Sequence, residues 1–237
     1  MRKNKLIFAA LLGVVGLTAC DEGDIQEQNG VGQTAGKTAK LTATITGMDT
    51  WSPQYSVVLA GFAEGNDNAV VQKRLPDGVG DDVTTTLSLT ADDIETVELC
   101  VTNRLRQRVV TFASVSVSQM QGDTVFLHAG NVNLGMFQSI QDVVFTSTCA
   151  RCHGLGSSPA GSLTLVEGQS YEQLVNHPAR LPQNGIRVVP GDPAASLLHK
   201  VVHGDPEAGV SFDHSNMLKA ATAVSLIDNW IAAGAQP

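Results

Sequence analysis

Residues 145–154 read FTSTCARCHG, and the run from Cys149 to His153 carries the most specific chemistry in the chain. Two cysteines three positions apart, with a histidine directly after the second, form the c-type haem attachment signature. The thiols add to the vinyl groups of a haem, and the histidine binds its iron. The run therefore predicts one covalent haem c, with Cys149 and Cys152 as attachment residues and His153 as an axial iron ligand.

A CxxC pair beside a histidine has two other interpretations, a buried structural pair or half of a zinc site. A tetrahedral zinc site usually brings a second pair of cysteines or histidines at short spacing. The later histidines include no pair that is matched to this one, and they are His177, His199, His203 and His214. The pattern favours haem over zinc.

The N-terminus predicts export and lipid attachment. Three basic residues precede residues 6–17, an apolar run that is too short to span a bilayer as a mature helix. Residues 17–20, LTAC, resemble the lipobox of bacterial lipoproteins, in which the cysteine is lipidated and the chain is cleaved before it. We expect a signal peptide over 1–19 and a lipidated Cys20, with an ordinary signal peptide as the alternative. Both interpretations export the chain to the compartment where haem is attached to CxxCH motifs.

The charge balance argues against some partners. The chain has 15 basic and 23 acidic residues, and removal of residues 1–19 takes away three basic ones, which leaves 12 against 23 and a net charge of −11. Such a surface argues against nucleic acid and against electrostatic adhesion to anionic lipid. We therefore expect the acyl chains on Cys20 to supply the contact with the membrane. The predicted location is the envelope of a Gram-negative-type bacterium, on the periplasmic or cell-surface side.

Composition and periodicity divide the rest of the chain. Residues 20–37 are rich in Gly, Gln, Asp and Glu and predict a flexible, lipidated tether. Residues 38–130 alternate apolar and polar positions in six or seven short stretches rich in β-branched residues, which predicts an antiparallel β-sandwich. From residue 131 to 237 the apolar spacing becomes helical, most clearly at 137–145 and 223–231.

Five segments of the C-terminal half share their order and spacing with one known family. They are FTSTCARCHG at 145–154, LTL at 163–165, YEQLV at 171–175, VVPGDPAASLL at 188–198 and IDNWIAAGA at 227–235. Together, residues 138–236 resemble the mono-haem cytochrome c domains called planctomycete-type, which also occur in bacterial lipoproteins. The resemblance implies a helical cytochrome c fold and single-electron transfer. The expected fold class is thus an N-terminal all-β antiparallel sandwich followed by a C-terminal all-α cytochrome c-like domain.

The family usually supplies its second iron ligand from a Met-Pro pair just before the last helix. Met217 stands at that place here, although Leu218 follows it instead of proline. The alternative is a histidine, with His214 closest in sequence and His203 or His199 farther away. A thioether ligand prefers ferrous iron and raises the reduction potential.

Backbone and side chains around the haem are expected to support His153. The carbonyl of Pro159 or Pro190 is positioned in sequence to accept a hydrogen bond from the other ring nitrogen of His153, which would fix its tautomer. Leu163, Leu165, Leu197 and Leu198 are expected to line the haem crevice, and Arg187 to pair with a propionate.

The combined prediction is a lipid-anchored envelope cytochrome that carries single electrons between redox partner proteins, rather than a catalyst. Two other classes stay open. One is a haem-containing redox enzyme subunit or haem-based sensor, which needs an open iron position. The other is a binding or adhesion lipoprotein that acts through residues 38–130.

Overall fold

Seven β-strands in two sheets supply most of the regular structure. The structure is a computed structural model, and it describes residues 36–76, 80, 83–180 and 185–237. The predicted signal peptide, Cys20 and nearly all of the predicted tether lie outside the described residues. The strands are β1 (Thr38–Thr46), β2 (Tyr55–Ala63), β3 (Val71–Arg74), β4 (Val83–Ser88), β5 (Ile94–Asn103), β6 (Arg108–Ser116) and β7 (Thr124–Asn133).

The first sheet has the strand order β4-β1-β7, and the second has the order β3-β2-β5-β6. All neighbouring strands pair antiparallel except β1 and β7, which are parallel. Strand β1 shows why the alternating sequence forms a sheet, since Ala39, Leu41, Ala43 and Ile45 are buried and the threonines between them are not. Central strands β2 and β5 are buried over most of their length on both faces.

Helices follow the strands and are short. They are α1 (Met136–Ile140), a π-helix (Gln141–Cys149), α2 (Ala150–His153), α3 (Ser170–Leu174), α4 (Leu197–Val202) and α5 (Ala221–Ala232). The first three are continuous, so that one helical stretch runs from Met136 to His153. None of the helices in the described part of the chain has the length and hydropathy needed to cross a bilayer.

The helices and the sheets share one hydrophobic core. Leu41 and Leu99 from the sheets belong to the same buried cluster as Phe145 and Trp230 from the helices. Polar contacts join the same elements, because Asn229 of α5 donates to the Tyr55 hydroxyl at 2.8 Å and accepts from Gln54 at 2.8 Å. Residues Ala35–Pro237 accordingly form one compact unit. The domain boundary predicted after residue 130 lies within β7.

The predicted fold class is wrong. The described chain is mostly β-sheet with a few short helices, and no all-α cytochrome c-like domain follows the strands. Between His153 and α5, most residues are in turns and loops rich in glycine and proline, with isolated β-bridges such as Val175 to Val188. The helical spacing at 137–145 and 223–231 does mark buried helix faces, but these faces pack on the shared core with the sheets.

Candidate functional site

The CxxCH run lies at the end of the helical stretch that starts at Met136. Val144 and Phe145 anchor this stretch in the core, and Cys149 packs against the core as a half-buried side chain. Cys152, one turn later, is exposed. The two thiols therefore differ in environment, with Cys149 facing the protein and Cys152 facing the solvent.

Both cysteines are free thiols, and so is Cys100 in β5. Burial is the main cause that raises the pKa of the Cys149 thiol to about 11, and the neighbouring Cys152 adds to it. A thiol with a raised pKa stays protonated and reacts slowly with oxidants.

Gly154 ends the helix directly after the histidine. A Cβ atom at this position would lie 2.4 Å from the carbonyl oxygen of Ala150, a distance that no side chain tolerates without a backbone shift. The residue after His153 must therefore be glycine if the helix is to end here with the chain turning tightly.

His153 is held by the loop that follows it. Its Nδ1 lies 2.9 Å from the carbonyl oxygen of Ala160, and its own carbonyl accepts from the N–H of Leu165 at 2.6 Å. A carbonyl oxygen can only accept, so Nδ1 carries the proton and the neutral ring keeps its lone pair on Nε2. The predicted partner was the carbonyl of Pro159 or Pro190, and the observed one is Ala160.

Burial lowers the pKa of the His153 imidazole below its ordinary value. The hydrogen bond to Ala160 acts in the opposite direction, and the nearby His214 lowers the pKa further. The neutral form of the ring, which is the form that binds metals, is thereby favoured.

His214 lies next to His153, with ring centroids 6.3 Å apart and ring planes at 24°. Its Nδ1 is 2.8 Å from the carbonyl oxygen of Phe212, so this ring also keeps its lone pair on Nε2. Asp213 stabilises the loop, because its carboxylate accepts from the backbone N–H and the hydroxyl of Ser215 at 2.9 and 2.6 Å. These two hydrogen bonds lower the pKa of the Asp213 carboxyl.

Met217 is an exposed side chain on the same turn, and its backbone N–H donates to the carbonyl of His214 at 2.9 Å. The two candidate second ligands are thus three residues apart in one loop. Of these two, His214 is the one whose side chain contacts His153.

Several large apolar side chains near the motif are exposed. Leu155 is 78 % exposed and Phe212 is 57 % exposed, and Val210 and Met217 are each exposed over about a third of their surface, at 36 %. The ring of Phe212 lies 4.8 Å from that of His214, which places it beside the two histidines. Four of the seven exposed large apolar side chains in the described residues therefore flank the CxxCH run or the loop that carries His214.

Leu165 and Arg187 lie behind His153 and are both buried. The Arg187 guanidinium donates to the carbonyl of Gln173 at 2.7 Å and to the carbonyl of Ser162 at 3.1 Å. It is close enough to contribute to the lowered pKa of His153. It also donates to the side-chain oxygen of Gln173 at 3.1 Å, whereas the predicted partner was a propionate. The other predicted crevice residues, Leu163, Leu197 and Leu198, are half-buried.

A second pair of histidines, His199 in α4 and His203 directly after it, meets an aspartate of α5. His199 and His203 both contact the carboxylate of Asp228, at 2.7 and 2.8 Å. The sequence singles these histidines out only as distant alternatives for the haem iron. Their spacing of four residues on one helix face is the signal that could have identified the group, but Asp228 is visible as their partner only in the structure.

The geometry around His153 can bind an apolar group that carries a metal. Residues 149–217 supply two free thiols, an imidazole whose Nδ1 is held by the Ala160 carbonyl, and several exposed apolar side chains. A scan against protein-family models, a search of curated proteins and a search of solved structures each found no match to this chain.

Proposed function

We propose that this chain carries one covalently attached haem c and transfers single electrons in the cell envelope. The observation that carries the proposal is the hydrogen bond from Nδ1 of His153 to Ala160, beside two free thiols in a CxxC pair. This bond leaves Nε2 as the only ring nitrogen with a lone pair. Metal-ligating histidines commonly donate their other ring N–H to a carbonyl oxygen in this way.

The residues of the motif fit the proposed group. Cys149 and Cys152 would hold the haem through thioether bonds, and His153 would bind the iron through Nε2. The haem, when bound, supplies a one-electron couple. The carbonyl of Ala160 fixes the tautomer of His153 and increases the basicity of its free nitrogen.

The exposed apolar side chains support the same function. Leu155 and Phe212 flank the histidines in positions where a soluble protein gains nothing by leaving them in water. A large apolar group held by the thiols would cover them. They would in turn exclude water from one side of the iron, and burial of that kind sets the reduction potential.

We propose His214 as the second iron ligand, with Met217 as the alternative. His214 has its ring beside that of His153 and a free Nε2. Two imidazoles give a lower potential than the histidine and methionine pair that the family resemblance implies. Met217 lies on the same turn, where its backbone N–H donates to the carbonyl of His214.

The resemblance to planctomycete-type cytochrome c domains supports this proposal only through the shared sequence motifs. The CxxCHG run and the segments at 163–165, 171–175, 188–198 and 227–235 keep their family order. The fold around them is not that of an all-α domain, so the proposed electron transfer depends on the site and not on the fold.

The test is covalent haem in the purified, exported full-length protein. Haem-dependent peroxidase staining on a denaturing gel should be positive for the wild type and absent for Cys149→Ser with Cys152→Ser. Cys100→Ser is the matched control and should keep the stain, because that thiol is buried in the sheet. Staining that persists in the double variant would overturn the proposal.

The envelope location and the electron-carrier role need separate tests. Cys20→Ala should move the protein out of the membrane fraction, since no other anchor is proposed. Reduced wild-type protein should bind carbon monoxide slowly or not at all if both axial positions are filled. Rapid binding would favour the redox enzyme or sensor over the electron carrier.

A further inference from the structure

We propose that His199, His203 and Asp228 form a binding site for one divalent transition-metal ion of the zinc type. This site would be distinct from the proposed haem site. It uses two histidines and a carboxylate that neither the electron-transfer function nor the core requires.

The three side chains converge from two helices. His199 and His203 lie one turn apart, His199 within α4 and His203 directly after its last residue. Asp228 lies on α5 and contacts both rings with separate oxygens, Nδ1 of His199 at 2.7 Å and Nε2 of His203 at 2.8 Å. The ring centroids are 4.3 Å apart. One potential ligand atom from each residue lies within 4.8 Å of the other two.

These separations are close to those of a metal site. Zinc binds nitrogen and oxygen at about 2.0–2.1 Å, so neighbouring ligands of a tetrahedral ion are about 3.3 Å apart. The three ligand atoms now lie within 4.8 Å of one another, so the widest separation would have to close by up to about 1.5 Å. The side chains are partly exposed, at 29 % for His199, 43 % for His203 and 26 % for Asp228, which leaves them free to make that adjustment.

The donor set selects the class of ion. Two imidazoles and one carboxylate suit zinc and its first-row neighbours, whereas calcium and magnesium prefer oxygen alone. The ion would replace the protons that the two rings now share with Asp228. Three protein ligands leave a fourth position, which solvent can reach because His203 is exposed.

The consequence for the protein is a link between α4 and α5. Helix α5 carries Trp230 and Ile231 in the core, and α4 packs against it near the surface. An ion that binds the folded protein and not the unfolded chain stabilises the fold by an amount that rises with the logarithm of its free concentration above Kd. We therefore expect zinc to raise the unfolding temperature.

The experiment is a calorimetric titration of the full-length protein, freed of metal by a chelator, with Zn²⁺. The wild type should bind one equivalent and unfold at a higher temperature with zinc present. His199→Ala and Asp228→Asn should each weaken binding by at least about tenfold and remove the zinc-dependent rise in unfolding temperature. His177→Ala, which changes an exposed histidine outside the group, should leave both measurements unchanged.

Asp228→Asn keeps the size and shape of the side chain, so it stays informative even if His199→Ala does not fold. His203→Gln is a second variant that preserves a polar side chain at the exposed position. Absence of binding by the folded wild type overturns the proposal, and so does binding that survives both Asp228→Asn and His203→Gln. Haem staining is independent of these residues and identifies a separate failure of the proposed electron-transfer function.

Discussion

The sheet region, residues 38–133, and the motif region, residues 149–218, differ in how many of their large apolar side chains are exposed to solvent. Among the described residues of the sheet region, the exposed large apolar side chains are two isolated ones, Leu105 in a turn and Phe126, as is ordinary for a protein surface. Among those of the motif region, four are exposed and flank the CxxCH run or the loop of His214. Both regions share one hydrophobic core, but the motif region leaves more of its large apolar side chains in contact with solvent.

The largest expected difference between the two regions is in the alkylation rates of their cysteines. Burial, reinforced by Glu98, raises the pKa of the Cys100 thiol far above its ordinary value, while Cys152 is exposed. Since the thiolate is the reactive form, alkylation of Cys100 at pH 8 should be slower than that of Cys152 by on the order of a thousandfold. Mass spectrometry of folded protein made without haem measures each site separately.

Cys149, whose thiol is half-buried, tests the same contrast through the pH dependence of its alkylation. Because the pKa of Cys149 is raised to about 11, its alkylation rate should continue to rise with pH up to about that value. Labelling in denaturant is the control and should modify Cys100, Cys149 and Cys152 at similar rates. Equal reactivity of Cys100 and Cys152 in the folded protein would remove the contrast.

Two leucines, one in each region, should differ in their contribution to the free energy of unfolding. Leu99 is fully buried between the strands and packs in the shared core, and Leu155 is 78 % exposed. Leu99→Ala should lower the free energy of unfolding of the haem-free protein by about 2–5 kcal/mol, because it removes buried surface and leaves a cavity. Leu155→Ala should change it by less than about 0.5 kcal/mol. Urea denaturation followed by circular dichroism measures both.

The haem-loaded protein should respond differently to the Leu155 substitution. If a haem covers Leu155, the same substitution should destabilise the loaded protein more than the haem-free one. An equal effect in both forms would mean that Leu155 lies away from the haem.

The contrast also explains how far sequence could predict the fold. Alternation in Leu41, Ala43 and Ile45 marks a strand with one buried face, and the helical spacing of Leu226, Ile227 and Trp230 marks a buried helix face. Such patterns predict that a face is buried, but they do not identify the element that packs against it. For that reason the parallel pairing of β1 with β7 and the packing of α5 near Tyr55 were not predictable, and the expected all-α domain was wrong.

Within the candidate site, local chemistry was predictable and loop geometry was not. The CxxCH run is contiguous, so Cys149, Cys152 and His153 could be identified together. The approach of His214 to His153 joins residues 61 positions apart in the sequence, with α3 and α4 between them, and leaves no periodic signal. His199 and His203 form a readable pair, but Asp228 comes from a different helix.

Two glycines test whether the motif needs its tight turn. The expected change in the free energy of unfolding is smaller than that for Leu99→Ala. A Cβ at Gly154 would lie 2.4 Å from a backbone oxygen, whereas a Cβ at Gly156 would meet nothing within 4 Å. Gly154→Ala should therefore cost about 1–3 kcal/mol in the free energy of unfolding and reduce haem staining, since His153 must move with the turn. Gly156→Ala is the matched control, and its effect should be below about 1 kcal/mol. Equal staining and stability of the two variants would show that the turn is not needed.

The last comparison is between the two candidate second ligands, where the effect on stability is smallest and the effect on the haem spectrum is decisive. His214 and Met217 both lie on the partly exposed loop that Asp213 stabilises. Replacement of either by alanine should change the free energy of unfolding of the haem-free protein by less than about 0.5 kcal/mol, because neither fills the core.

In the haem-loaded protein the two variants should differ. If His214 binds the iron, His214→Ala opens that position, so the reduced protein should gain rapid carbon monoxide binding while Met217→Ala keeps the wild-type spectrum and midpoint potential. If Met217 is the ligand, the wild type should show the weak far-red absorption of a sulfur–iron bond. Met217→Ala should then lose that absorption and lower the potential, because a thioether stabilises ferrous iron. A spectrum that is unchanged in both variants would place the second ligand outside this loop and would break the link between the exposed apolar rim and the haem.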